Sequence, residues 1–486
     1  MAQCTILVTT LPGPLNLIGG EFRPSASGGE LPVISPIDGG RFAAIADSGP
    51  EDIAAAIVAA RTAFDGAWGG FSAAERGRLM LRLALRLEAE AEALARLETR
   101  DNGKPIAQSR ADMAALVRYF EYYGGAADKL HGEVIPFLNG YDVMSLREPH
   151  GVTGHIIPWN YPVQIFGRSV GAALAMGNAT VTKPAEDACL SILRIGELAG
   201  EVGFPPGAIN IVTGRGEVAG KALAEHPGVD FISFTGSPEV GVQIQIAAAR
   251  NHIPCTLELG GKSPQIVFED ADLDAALPVI VNAIVQNGGQ TCSAGSRVLI
   301  QRGIWDRLTG LLADRFRAVQ ARASGEDAVL GPLISARQRA RVQRYMDGAG
   351  APLIARGGIA PDVPPGGFYI APALFGPVDP SSPLAQEEVF GPVLAAIPFD
   401  DEAEAIAIAN GTEYGLVAGI WTRDGDRQAR MARAMRCGQV YINGYGAGGG
   451  IELPFGGVRK SGHGREKGFV ALHEFSRLKT IIHRFG

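Results

Sequence analysis

Between residues 150 and 260 the chain alternates short apolar runs with helix-like stretches, a rhythm that few architectures accept. "GVTGHIIP", "ATVTKP", "INIVTG", "VDFISFTG" and "TLELGG" read as strands, and "CLSILRIGELAGEV" and "GEVAGKALAEH" between them read as helices. Repeated strand–helix–strand units predict a parallel sheet covered on both faces. A second α/β run follows Gly260, with strands near "RVLIQ", "LAAIPF", "LVAGIWT" and "GQVYIN", so "ELGG" marks the candidate boundary. Upstream, "SGPEDIAAAIVAARTAF" has Pro50 near a helix start and Ile53, Ile57, Ala60 and Phe64 on one face. "SAAERGRLMLRLALRLEAEAEALARLETR" opens on Ser72 and Glu75 as a capping box and predicts one long amphipathic helix. "YDVMSLREP" and "FSRLKTIIHRF" alternate like half-exposed strands, which invite pairing with another subunit. The basic stretch "SARQRARVQRYMDGA" reads as a solvated helix face.

A chain of 486 residues accommodates two or three domains, and a net charge of −7 favours neither a nucleic-acid nor an anionic-membrane partner. The N-terminal "MAQCTILVTTLPGPLNLIGG" lacks a basic start and is broken by prolines, so no signal peptide is expected. The run "VGAALAMGNATV" is too short to span a bilayer. Cysteines at 4, 189, 255, 292 and 437 are odd in number and scattered. That spacing suits neither a disulfide framework nor a CxxC metal site, so no metal and a reducing, cytoplasmic location are expected.

Cys292 stands apart in "GGQTCSAGSRV", where glycines and small residues would leave its sulfur accessible near backbone N–H groups. A thiolate there is a candidate nucleophile; a bland small-residue loop is the alternative. Glu258 ends the predicted strand of "TLELGGKSP", at the sheet edge where α/β proteins hold ligands, and could activate water. Asn160 in "IIPWNYP" presents an amide between rigid prolines, as oxyanion stabilisation requires, or else forms a turn. Lys183 and Glu186 of "VTKPAED" suit a ribose or a surface ion pair. Gly236, Ser237 and Pro238 of "FTGSPEVG" enter a helix whose N-terminus would suit a pyrophosphate. "GRGEVAG" (Gly214, Gly216, Gly220) is only an imperfect relative of GxGxxG.

Taken in order, PWNYP, VTKPAE, FTGSPEVG, ELGGKSP, GQTCSAG, EEVFGPV and PFGGVRKSG make a pattern that resembles the NAD(P)-dependent aldehyde dehydrogenase superfamily. The resemblance covers essentially the whole chain, including "SPIDGG", and Glu258 precedes Cys292 by the fitting 34 residues. It implies that Cys292 attacks an aldehyde carbon while Asn160 and the Cys292 backbone N–H hold the oxyanion. Glu258 would then activate the water that hydrolyses the thioester. A CoA-acylating enzyme or a non-enzymatic binding protein is the alternative; the first would make Glu258 superfluous. By the same resemblance Trp159, Lys183, Glu186, Gly216 and Ser237 surround adenosine and pyrophosphate, and Glu388 and Phe390 the nicotinamide ribose and ring. Glu186 favours NAD over NADP, because a carboxylate repels a 2′-phosphate.

The implied fold is α/β, aldehyde dehydrogenase-like. A Rossmann-like cofactor domain would use 1–127 and 149–259, and an α/β catalytic domain 260–458. Residues 128–148 and 459–486 would form a β oligomerisation arm and C-terminal tail in a homodimer or homotetramer. Tyr161, Ile165 and Arg168 share a helix face that would line the aldehyde channel with Phe455. As in semialdehyde-acid dehydrogenases of the family, Arg168 could grip a substrate carboxylate; pairing with a local carboxylate would instead leave a broad-specificity pocket. The glycine-rich run from Gly446 to Gly450 places little bulk where relatives carry an aromatic, predicting a wide entrance suited to bulky aldehydes too.

Overall fold

The computed structural model describes residues 13–323, 325, 327–446 and 450–485. The first 12 residues and 447–449, most of the glycine-rich run, lie outside the described residues. All five strands expected between 150 and 260 form, in one eight-stranded sheet. Its parallel centre runs Ile209–Ile211, Ala179–Pro184, Val152–Ile157, Phe231–Thr235, Cys255–Glu258. Numbered along the chain these strands lie in the order 3-2-1-4-5, so the order reverses between Val152–Ile157 and Phe231–Thr235. Loops leaving the carboxyl ends of those two strands diverge there and open a crevice, where open α/β sheets bind ligands. Ala179–Pro184 and Phe231–Thr235 are buried at every position, as strands covered on both faces must be.

Antiparallel strands close both edges of this sheet. Asn16–Ile18 and Glu21–Arg23 extend one side, and Gly462–His463 pairs with Leu257 and Glu258 on the other. A seven-stranded sheet follows Gly260, with Pro264–Val267 between Arg297–Gln301 and Val417–Trp421. Only five residues therefore separate the last parallel strand of the first sheet from the centre of the second.

Ser72 caps Ala73–Ala89 reciprocally with Glu75, as its spacing predicts. The helix does not continue to Arg100. It breaks at Glu90 and restarts as Ala91–Asn102, and the Glu90 carboxylate meets Arg86 and Arg194. Tyr141–Pro149 and Ser476–Arg484 pair antiparallel with each other in a separate three-stranded sheet. Val134, Met144, Leu146, Leu478, Ile481 and Ile482 on that sheet are exposed.

Candidate active site

Asn160 sits where the strand Val152–Ile157 gives way to the helix Pro162–Ala175, and five hydrogen bonds fix its segment. Asn102 Nδ2 donates to Trp159 O at 2.5 Å, and Lys104 Nζ and Asn287 Nδ2 both donate to Asn160 O at 2.9 Å. The Asn160 amide itself donates to Gln290 O at 3.0 Å, two residues before Cys292, while its buried Oδ1 has no partner among the described residues. Tyr161 and Thr291 hydroxyls join the same two loops at 2.9 Å. The loop bearing Cys292 reaches this point through consecutive left-handed residues, Asn287, Gly288 and Gly289. A Cβ on Gly289 would stand 2.2 Å from Gly391 O. The glycines thus serve backbone approach: Cys292 is half-buried against the cluster of Leu416, Val417 and Phe455 and stays accessible as a lining residue of two cavities. Burial pushes its thiol up to about 11, with Arg168 and Lys467 pulling the other way.

Glu258 ends the fifth parallel strand, 2% exposed, with neither carboxylate oxygen hydrogen-bonded among the described residues. Burial holds its carboxyl well above the ordinary range, against the opposing field of Arg168. A buried carboxyl of raised affinity for protons, facing a cavity, is a competent proton acceptor. The two glycines after it serve packing: a Cβ on Gly260 would lie 2.3 Å from Glu388 Oε2, and one on Gly261 2.5 Å from Cys292 O.

Two cavities meet at Asn160, Thr235 and Cys292. The first, of about 330 Å³, is lined by Tyr161, Ile165, Arg168, Phe455 and Lys467 among others. The second, of about 430 Å³, holds Trp159, Ser237, Glu258, Glu388 and Phe390. It shares Trp159, Gly236 and Ser237 with a long surface groove of about 990 Å³ that carries Lys183, Glu186 and Gly216. Lys183 Nζ and Glu186 Oε2 are 2.9 Å apart, and the other Glu186 oxygen accepts from Gly216 N at 3.3 Å. Burial raises the Glu186 carboxyl, but Lys183 and the backbone N–H groups of Glu186 and Gly216 together outweigh it and hold the acid below its ordinary range. Ser237 caps Pro238–Arg250, aiming that helix N-terminus at the groove. Glu388 accepts from Gly261 N at 2.9 Å, and burial lifts it to about 7. Phe390, at φ 59, meets the Trp159 ring edge-on at 5.4 Å.

Two features escape a reading of the sequence, the cavity face of Ala336–Asp347 and the buried Lys104, and a third, Arg168, stands between two readings. The helix Ala336–Asp347 is not a merely solvated face: Arg337, Gln338, Arg341 and Arg344 line the second cavity. Gln338 and Arg341 also donate to Phe390 O (2.7 Å) and Glu388 O (2.8 Å). Arg168 lies in the wall of the first cavity but meets a carboxylate of its own chain, Glu466, and donates to Thr235 Oγ1 at 3.0 Å. Of the two readings of that guanidinium, local pairing is the one present. Lys104, 1% exposed, meets Asp112 at 2.6 Å and Glu98 at 3.4 Å beneath Asn160. Nothing in "DNGKP" distinguishes a buried lysine from a solvated one. Lys104→Met leaves two buried acids without their cation, and urea unfolding is expected to show a loss of about 3–5 kcal/mol.

A model described as the aldehyde dehydrogenase family matches residues 22–481. Aldehyde dehydrogenase family 2 member B4, mitochondrial, of Arabidopsis thaliana is 43% identical over 96% of this chain and 87% of its own length. A Burkholderia cenocepacia crystal structure assigned as an aldehyde dehydrogenase is 62% identical, with a TM-score of 0.96 over 97% of this chain and 100% of that one. Staphylococcus aureus betaine aldehyde dehydrogenase, solved with NAD+, is 37% identical with a TM-score of 0.94, covering 97% and 94%.

Proposed function

The chain belongs to the aldehyde dehydrogenase family, and from that premise we propose that it oxidises an aldehyde to the carboxylic acid with NAD, through a thioester on Cys292. The observation that carries this reading is the meeting of two cavities at one half-buried thiol, beside an Asn160 amide and a buried, unbonded Glu258. The aldehyde enters from the side of Tyr161, Ile165 and Phe455. Cys292 sulfur bonds to the carbonyl carbon, its proton passing to solvent water as the carbonyl pair moves onto oxygen, and the oxyanion lies against the Asn160 amide and the Cys292 N–H. NAD, when bound, supplies the hydride acceptor on the side of Glu258. Glu258 then takes a proton from water, which attacks the thioester and frees the acid and the thiol.

The groove fits a dinucleotide. Lys183 and Glu186 would hold the adenosine ribose near Gly216, the capped helix at Ser237 the pyrophosphate, and Glu388 the second ribose, with Trp159 and Phe390 against the planar groups. The ionised Glu186 disfavours a 2′-phosphate. NAD is expected to be used at least about tenfold more efficiently than NADP, with Glu186→Gln narrowing the gap in paired kinetics.

The arm sheet supports a homodimer or homotetramer through its exposed apolar residues. Among the described residues no helix is long and apolar enough to cross a membrane, and the scattered cysteines are in keeping with a cytoplasmic site of action. Screening aldehydes for NADH formation tests the reading, and a panel with no turnover overturns it.

A further inference from the structure

We propose that Arg337 holds the cofactor's pyrophosphate together with the helix start capped by Ser237. The assignment rests on the reading of the groove and cavity above as a dinucleotide site, and adds to it a residue from the other half of the chain.

A dinucleotide that lies in the groove and reaches Cys292 must carry its two phosphates through the place where the groove meets the cofactor cavity. Six described residues line both spaces: Pro158, Trp159, Thr235, Gly236, Ser237 and Arg337. Among them Arg337 has the only charged side chain. The first five belong to the carboxyl ends of Val152–Ile157 and Phe231–Thr235 and the loops that leave them. Arg337 comes from the helix Ala336–Asp347, beyond Gly260. The pyrophosphate would thus join the two α/β halves of the molecule.

Other cations nearby are placed or engaged differently. In the groove, Lys183, Arg215 and Arg250 meet Glu186, Asp47 and Glu225 at 2.9, 3.4 and 3.8 Å. Lys221 lines the groove but not the cavity, and Arg341 and Arg344 line the cavity but not the groove. Arg341 also donates to Glu388 O at 2.8 Å. Arg337 is exposed, and its guanidinium makes no ion pair or hydrogen bond among the described residues. Burial and Glu186 raise the Asp187 carboxyl in the groove wall, with the field of Arg337 opposing them.

The helix that carries Arg337 supplies an independent sign. Ser335 caps it, and Arg337 stands in its first turn, which holds no acid. The positive end of a helix dipole disfavours a cation there and favours an anion. A pyrophosphate at the junction removes that conflict. One phosphate would accept from the free N–H groups behind Ser237, and the planar guanidinium would grip the other through two parallel N–H donors.

Calorimetric titration of NAD, ADP-ribose and adenosine tests the assignment without turnover. Arg337→Met is expected to weaken NAD and ADP-ribose by about tenfold each and adenosine by less than about twofold, because adenosine lacks the pyrophosphate. Arg337→Lys should recover part of the loss, since it keeps the charge but not the fork. Wild-type affinity for NAD should also fall more steeply with added salt than that of Arg337→Met. Adenosine binding shows that the variant is folded; should Arg337→Met not fold, Arg337→Gln carries the same test. NAD bound by the variant within about twofold of the wild type overturns the Arg337 assignment and leaves the groove reading standing. So does a loss shared equally by adenosine, or a loss for NAD that ADP-ribose escapes. A wild-type protein that binds neither NAD nor ADP-ribose overturns both.

Discussion

Cys292→Ala is expected to abolish aldehyde-dependent NADH formation, with kcat/KM down by at least about 10⁴-fold. The side chain supplies the bond that holds the carbonyl carbon, and no neighbour can replace it: Cys437 lines neither of the two cavities and bonds through its sulfur to Gln439 O at 3.1 Å. NAD binding, followed by quenching of tryptophan fluorescence, should survive, because Trp159, Ser237 and Glu388 are untouched. That contrast separates lost chemistry from lost folding. The thiol carries a second signature. Burial lifts it to about 11, so few molecules hold a thiolate at neutral pH, and alkylation by iodoacetamide should accelerate as pH rises from 7 towards that value. A plateau below pH 8 would contradict the desolvated thiol of this structure.

Strands buried on both faces announce themselves as apolar runs, and the parallel centre of the first sheet was legible for that reason. Pro264–Val267 was not. It is four residues long, begins with proline and carries Gln265, whose amide oxygen accepts from Trp421 Nε1 at 2.7 Å inside the core. Gly462–His463 is shorter still, and its place beside Glu258 depends on a pairing across some 200 residues that no local pattern encodes. The same limit governs the site. Cys292, Glu258 and Asn160 stand out because each departs from its local background, a sulfur among glycines or an acid ending an apolar strand. Lys104, Gln338, Arg341 and Glu466 look like ordinary polar helix and loop residues until the fold encloses them. Arg168 was legible as a cavity residue, but its partner, nearly 300 positions away, was not.

Glu258→Gln is expected to form a first equivalent of NADH and then to turn over about 10²–10⁴-fold more slowly than the wild type. Glutamine keeps the shape and burial of the side chain, so sulfur attack and oxidation proceed, but it cannot take a proton from water and the thioester accumulates. Rapid-mixing absorbance at the NADH band reads both phases, and acid-quenched mass spectrometry should find the acyl group on the peptide containing Cys292. Equal steady-state rates would remove Glu258 as the base. The pH profile gives the second arm. Burial raises the carboxyl, so wild-type thioester hydrolysis should climb with pH over a range displaced upward from that of an ordinary carboxylate as the proton leaves, and the variant should lose that limb. Stability moves in the opposite sense. A carboxyl whose proton affinity is higher folded than unfolded contributes stability that is full below the unfolded value, near 4.3, and lost as pH rises through the folded value. Glu258→Gln carries no such proton, so its thermal midpoint should exceed the wild type's by more at pH 8 than at pH 5. An acid kept where its ionised form is poorly tolerated weakens the fold at neutral pH, and its catalytic return is a proton acceptor stronger than any solvated carboxylate.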